Sequence, residues 1–231
     1  MTRPRALVIA PHPDDEVLGA GGTIARLAAE GWTVVVATVC ADRPPTYPAG
    51  VAEQVEEEAR AAHALLGVAD SLFLGLPSVE VSRGSVAALN GPLQDVVDEL
   101  RPRLALVPFP DRHVDHRAVF DASMVVTRPI GAGAALRTVA MYETVSETFW
   151  NAPGAEPVFT PSWHVDITET LPTKLAAFRC FGSQLQDDPA PRSLHALESL
   201  AGFRGSQVGA TAAESFHLVR ALSPAGSVME R

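Results

Sequence analysis

The stretch Ala6-Leu7-Val8-Ile9-Ala10-Pro11-His12-Pro13-Asp14-Asp15-Glu16 decides the fold: an unbroken apolar run delivers a histidine and two aspartates within four residues. An apolar run without alternation fits a strand covered on both faces. A Gly-rich segment, Gly19-Ala20-Gly21-Gly22-Thr23, follows and reads as a turn into a helix. A hundred residues on, a second apolar run, Leu104-Ala105-Leu106-Val107, precedes Asp111-Arg112-His113-Val114-Asp115-His116. Open α/β sheets bind ligands outside the carboxyl ends of their parallel strands. Two strand ends carrying His and Asp therefore describe a mononuclear metal site, since zinc takes imidazole nitrogen and carboxylate oxygen and keeps one position open for water.

Outward from these runs, short β-branched segments alternate with helical patterns. Strands are expected at Arg5–Ala10, Thr33–Val39, Ser71–Leu74, Arg103–Phe109 and Arg137–Tyr142. Helices are expected at Gly22–Glu30, Val51–Leu66, Pro92–Leu100 and Asp115–Val126. In the second helix Val55, Ala59, Ala62 and Leu66 share one face while Glu53, Glu56 and Glu57 face water, and Gly67 stops it. This order predicts an α/β protein: a Rossmann-like, doubly wound, mainly parallel sheet. After Trp150 a Pro-rich segment (151–161) leads to a strand at Trp163–Ile167 and helices around Pro172–Leu185, Arg192–Ala201 and Ala212–Leu222. The expected organisation is a single domain over 1–231, an α/β core (1–150) with a helical C-terminal extension (151–231) walling the site. The Pro-rich loop Asp42–Pro48 follows the second strand on the same sheet edge and is expected to form a lid or a substrate wall.

The 231 residues carry 27 acidic against 18 basic side chains, a formal charge of −9. That balance, with no basic stripe, excludes a nucleic-acid partner held by phosphate contacts. No window approaches the roughly 20 apolar residues of a membrane span. The N-terminal apolar run is too short for a signal peptide, so a cytoplasmic, soluble protein is expected, with homo-oligomerisation left open. Cys40 and Cys180 are too few for a disulfide framework or a cysteine metal site and read as buried thiols.

His12 and Asp15, three apart in a turn, reach one ion together, and His116 supplies a third ligand from the other strand end. The plainer reading makes Asp14 and Asp15 helix caps and His113 and His116 surface residues; the pairing of both clusters at ends of one sheet weighs against it. A dinucleotide turn at Gly19–Gly22 fails on spacing, because G-x-G-x-x-G needs glycine where Ile24 stands. A 2-His-1-carboxylate iron oxygenase matches the ligand set. Such enzymes, however, carry His-x-Asp on a jelly roll, whereas here the pair is His-x-x-Asp in an α/β pattern.

The segments PHPDDEVLGAGGT (11–23) and DRHVDH (111–116) resemble the two signatures of the LmbE-like or PIG-L family of metal-dependent N-deacetylases. Weaker echoes are Glu58, Leu74-Gly75-Leu76-Pro77, Val165-Asp166-Ile167-Thr168, Lys174, Ser183-Gln184, Arg204-Gly205 and Ala213-Glu214-Ser215-Phe216. The resemblance implies a Rossmann-like fold and removal of an acyl group, usually acetyl, from an amino sugar or its conjugate. It implies His12, Asp15 and His116 as ligands of Zn²⁺, with Fe²⁺ suited to the same set, Asp14 as general base and His113 as transition-state stabiliser. Asp115 is placed to orient His113, or to cap the helix that follows. Two positions depart from the sugar-processing pattern: the stretch Val51–Glu57 shortly before Glu58 holds no Arg, and Ser78 rather than Asp follows Pro77. The substrate is then an unusual sugar, a specialised-metabolite intermediate or another acylated amine. A degenerate, sugar-binding member is the non-enzymatic alternative. His63 reads as structural, His195 and His217 as surface or packing residues; His164, Tyr142 and Glu143 are open candidates for the pocket wall.

Overall fold

The structure, a computed structural model, describes residues 3–152 and 154–223; residues 1–2, 153 and 224–231, which the expected domain span includes, lie outside it. Its strands are β1 (Arg5–Ala10), β2 (Thr33–Ala41), β3 (Asp70–Pro77), β4 (Leu104–Pro108), β5 (Thr138–Tyr142), β6 (Trp163–Asp166) and β7 (Ala213–Ala221). Its helices are α1 (Asp15–Ala29), α2 (Val51–Leu66), α3 (Val86–Leu100), α4 (Val114–Val126), α5 (Leu171–Phe178) and α6 (Leu194–Ser206). One sheet takes the order β3-β2-β1-β4-β5-β7-β6. The five strands β3 to β5 are parallel, and β7 runs antiparallel to both β5 and β6.

The unbroken apolar strands have the predicted cause. Ala6 and Val8 pack with α1, α2 and α5 on one face, while Leu7 and Ile9 pack with α3 and α4 on the other. Period-2 side-chain alternation supplies two apolar layers only if every position is apolar.

Two expectations are corrected. The glycines do not form a turn: α1 begins at Asp15 and runs straight through them. They are small because the helix lies against its neighbours. A Cβ on Gly19 would collide with the Tyr142 ring and sit 2.7 Å from the Glu143 carbonyl, and one on Gly22 would sit 2.8 Å from Ile167.

The segment Ala212–Leu222 is not a helix. Ala213–Ala221 forms β7, paired on both sides by β5 and β6. Its local pattern is ambiguous, and the two flanking strands settle it by supplying partners for its backbone groups. The C-terminal extension is thus partly helical and partly sheet, continuous with the core. Buried polar ties fix it there. Lys174 Nζ donates to Glu214 Oε1 (2.6 Å) and to the Leu18 carbonyl (2.8 Å), and Glu214 accepts from the Gly22 and Thr23 amides (2.9 and 2.7 Å). Arg204 holds Glu143 through two bonds (2.9 and 2.5 Å). Among the described residues no helix is long and apolar enough to cross a membrane.

Candidate metal centre and active site

From β1 the chain moves outward to β2 and β3, then returns to place β4 on the other side of β1. The crevice at this reversal is where open α/β sheets place their ligands. His12 and Asp14 leave the end of β1, and Asp15 opens α1. His113 caps α4, and His116 sits in its first turn. The two motifs, remote in sequence, therefore meet at one sheet edge.

Their side chains converge on a single oxygen. Asp15 Oδ2 lies 3.2 Å from His12 Nδ1 and 3.2 Å from His116 Nε2. The far nitrogen of each ring meets another carboxylate: His12 Nε2 is 2.9 Å from Asp115 Oδ2, and His116 Nδ1 is 3.0 Å from Asp111 Oδ2. A carboxylate behind each ring fixes its tautomer and turns the other nitrogen inward, the arrangement found around metal-ligating histidines. His113 differs. Its Nδ1 accepts the Asp115 amide hydrogen (3.2 Å), which leaves the ring proton on Nε2. One nitrogen from each of His12, His113 and His116 lies within 4.8 Å of the others, and His12, Cys40 and Asp115 form a second such group.

The donors fit a divalent cation. Asp14, Asp15, Asp111, Asp115 and His116 are buried, and Asp14 Oδ2 and Asp115 Oδ1 take no hydrogen bond among the described residues. Burial would lower the pKa of His12, yet hydrogen bonds to Asp115 and Asp15 overcome it and push His12 up to about 9. His116, also opposed by burial, is pushed up to about 10 by the Asp15 and Asp111 carboxylates. The field of these carboxylates thus favours positive charge at the centre of the cluster, which a hard or borderline metal ion with oxygen and imidazole ligands supplies. Burial carries Asp14 up to about 8 against the opposing Arg192 guanidinium. Burial, with His12 and His116 nearby, takes His113 down to about 4 and keeps it neutral.

Asp14 is held under strain. Its φ of 117° is rarely adopted by a residue with a Cβ, at a cost of roughly 1–3 kcal/mol. Glu16 secures it: Oε2 accepts the Asp14 amide (3.2 Å), while Oε1 meets His63 Nε2 (3.0 Å), whose Nδ1 meets Ser71 Oγ (2.7 Å). His63 is structural, as its place in a helix implied.

A cavity of about 230 Å³ opens onto the cluster, lined by His12, Asp14, His113, His116 and Arg192. The loop Asp42–Pro48 contributes Asp42 and Tyr47, and α2 contributes Glu56. One sequence expectation, for Asp115, changes here, and the open candidates Tyr142, Glu143 and His164 fall outside the cavity wall. The Asp115 carboxylate supports His12 and the Val79 amide (2.8 Å), and only its backbone meets His113. Tyr142 is buried in the core with its hydroxyl on the Ile9 carbonyl (2.8 Å), and Glu143 is held by Arg204, so neither walls the cavity. His164 bonds Ser215 and lines a different cavity.

Arg192, Asp111 and Glu16 had no assigned role. Arg192 Nη1 stands 3.3 Å from Asp14 Oδ2 and 2.7 Å from Gln184 Oε1. No spacing rule links residue 192 to residue 14. Asp111 and Glu16 sit inside the two motifs, beside the residues expected from the sequence to be ligands.

The protein is similar over 79% of its length (78% of the relative) to the 1D-myo-inositol 2-acetamido-2-deoxy-alpha-D-glucopyranoside deacetylase 1 of Saccharopolyspora erythraea, at 28% identity. It is 27% identical to the diacetylchitobiose deacetylase of Thermococcus kodakarensis over 93% of this chain and 83% of that one. A conserved protein of Thermus thermophilus has a similar structure, with TM-score 0.72, 28% identity and coverage of 95% and 94% of the two chains. The 4-carboxy-2-hydroxymuconate hydratase of Pseudomonas putida has the same fold at TM-score 0.69 and 21% identity, covering 99% of each chain, so fold by itself does not fix the reaction. The PIG-L model, described as GlcNAc-PI de-N-acetylase, matches residues 7–127, slightly more than half of the chain and both halves of the cluster, and the chain belongs to that family.

Proposed function

We propose that this protein hydrolyses an N-acyl amide, chiefly N-acetyl, on an amino sugar, a sugar conjugate or a specialised-metabolite amine. The observation that carries the proposal is the convergence of His12, Asp15 and His116 on one point, with Asp14 and a neutral His113 beside it. His12, Asp15 and His116 would hold the metal, with Zn²⁺ the ion best matched to two imidazoles and a carboxylate. Such an ion polarises a carbonyl and lowers the pKa of a coordinated water to roughly 7.

The chain's own groups supply the proton work. Asp14, a carboxyl raised toward neutrality, accepts a proton from the attacking water and returns it to the leaving amine, a shuttle that favours a pKa near the working pH. His113 presents an Nε2 proton because its Nδ1 is occupied as an acceptor, and it donates to the oxygen that becomes negative as the carbonyl carbon turns tetrahedral. Asp115 and Asp111 orient the two ligand rings. The relatives' printed substrates, both acetylated amino sugars, support that class. The absence of Arg from the stretch Val51–Glu57 before Glu58 and the presence of Glu56 on the cavity support a substrate different from theirs.

Mass spectrometry of the purified protein with a panel of N-acetylated amino sugars and acylated amines tests this. Release of acetate with a free amine is expected. Addition of water without acetate would indicate a hydratase, and oxygen incorporation an iron oxygenase. Saturable binding with no product would indicate a degenerate binding protein.

A further inference from the structure

A second cavity, of about 370 Å³, lies at the opposite end of the sheet from the catalytic cluster, where β4 and β5 begin. It shares no lining residue with the first. Its size falls in the range of small-molecule sites, roughly 300–1,000 Å³. Trp32 and Trp163 line it, two of the three tryptophans in the chain. So do Arg103 and Arg137, each immediately before a strand.

Three features distinguish this cavity from an ordinary surface dip. The protein is strongly acidic overall, yet the charged side chains lining the cavity are Arg26, Arg103, Arg137 and Glu30. Glu30 is matched by Arg26 at 2.8 Å, whereas the guanidiniums of Arg103 and Arg137 have no hydrogen-bond or ion-pair partner among the described residues. Thr23 lines the cavity at 2% exposure, and its hydroxyl has no hydrogen-bond partner among the described residues. His164 adds a second polar group: Nδ1 is taken by Ser215 Oγ at 2.8 Å, and Nε2 has no partner among the described residues.

We propose that this cavity is a second ligand site, for an oxyanion borne on a flat ring. The indoles receive the ring, as amphipathic aromatic side chains do in ligand sites. Arg103 and Arg137 receive the phosphate or carboxylate through charge-assisted bonds, and His164 orients it. The proposal is independent of the reaction assigned to the catalytic edge.

The test titrates purified protein carrying Trp150→Phe, which leaves Trp32 and Trp163 as the fluorescent reporters, with phenyl phosphate, benzoate, phenol and inorganic phosphate. Saturable quenching by phenyl phosphate or benzoate is expected, and which of the two binds tighter identifies the anion. Phenol, lacking the charge, and inorganic phosphate, lacking the ring, should bind at least about tenfold more weakly, each having lost one of the two interactions. The pair Arg103→Gln/Arg137→Gln should weaken the tighter anion about tenfold or more while thermal melting stays unchanged. His116→Ala, at the other site, should leave binding intact. No saturable binding, equal binding of phenol, insensitivity to the arginine pair, or loss of binding in His116→Ala would each overturn the assignment.

Discussion

The catalytic edge and the C-terminal wing bury ionisable side chains to the same depth and use them in opposite ways. In the wing, Lys174 meets Glu214 and the Leu18 carbonyl, Glu214 also takes two α1 amides, and Arg204 meets Glu143 twice. Each buried charge there has its complement. At the catalytic edge, Asp14, Asp15, Asp111 and Asp115 crowd around His12 and His116 with Arg192 beside Asp14, two carboxylate oxygens take no hydrogen bond among the described residues, and Asp14 holds a strained φ. Paired burial ties the two wing helices and β7 to α1 and the sheet. A buried excess of carboxylates is costly unless a further cation completes it. Burial alone therefore says little about function; the balance of charge within the buried set separates scaffold from site.

Four substitutions test that contrast, in descending order of effect on the reaction. His116→Ala removes one of the three proposed metal ligands, and both metal content and turnover should fall below detection. It should also abolish the loss of thermal stability that a chelator causes in the parent protein. Full metal occupancy, measured by elemental analysis, would break the ligand assignment and, with it, the contrast.

Asp14→Asn should keep the metal and lower kcat by roughly 10²–10⁴, the range for loss of a general base. Loss of metal instead would exchange the roles of the two aspartates. His113→Ala should lower kcat and kcat/KM together by about 10²–10³, as deletion of an oxyanion donor does, with KM and metal unchanged. A rise in KM at constant kcat would make His113 a ground-state binding group.

Lys174→Met probes the wing. Glu214 is left buried without its cation, and denaturant titration should show a loss of about 3–5 kcal/mol. The kcat of the folded fraction should not change. A kinetic defect there, with stability intact, would mean that the wing is part of the site and not its support.

The parallel half of the fold was legible because each strand announces itself by composition. Arg5–Ala10 and Val51–Leu66 have the boundaries expected from their runs and stop signals. In the antiparallel half β6 was legible, expected at Trp163–Ile167 and found at Trp163–Asp166, but β7 was not. Ala213–Ala221 carries no local pattern that outweighs a helical reading, and its state depends on β5 and β6 being there to pair with it. The glycines of α1 mislead for a related reason. Glycine in a sequence signals a turn, but Gly19 and Gly22 answer to close contacts with Tyr142 and Ile167, more than a hundred residues away.

The cluster itself was written in two short motifs, because the proposed metal site needs particular donors at strand ends and both strands carry theirs in sequence. By itself the sequence determined the α/β class, the parallel core and the set of residues that meets at the β1 and β4 ends. Only the tertiary structure decided how those residues are supported. The carboxylate of Asp115 turns to His12 and not to His113, Asp111 backs His116, and Arg192 arrives beside Asp14 from the far end of the chain. The physical reason is that donor identity is a property of a residue, whereas the direction of a hydrogen bond depends on which partner packing brings within about 3 Å.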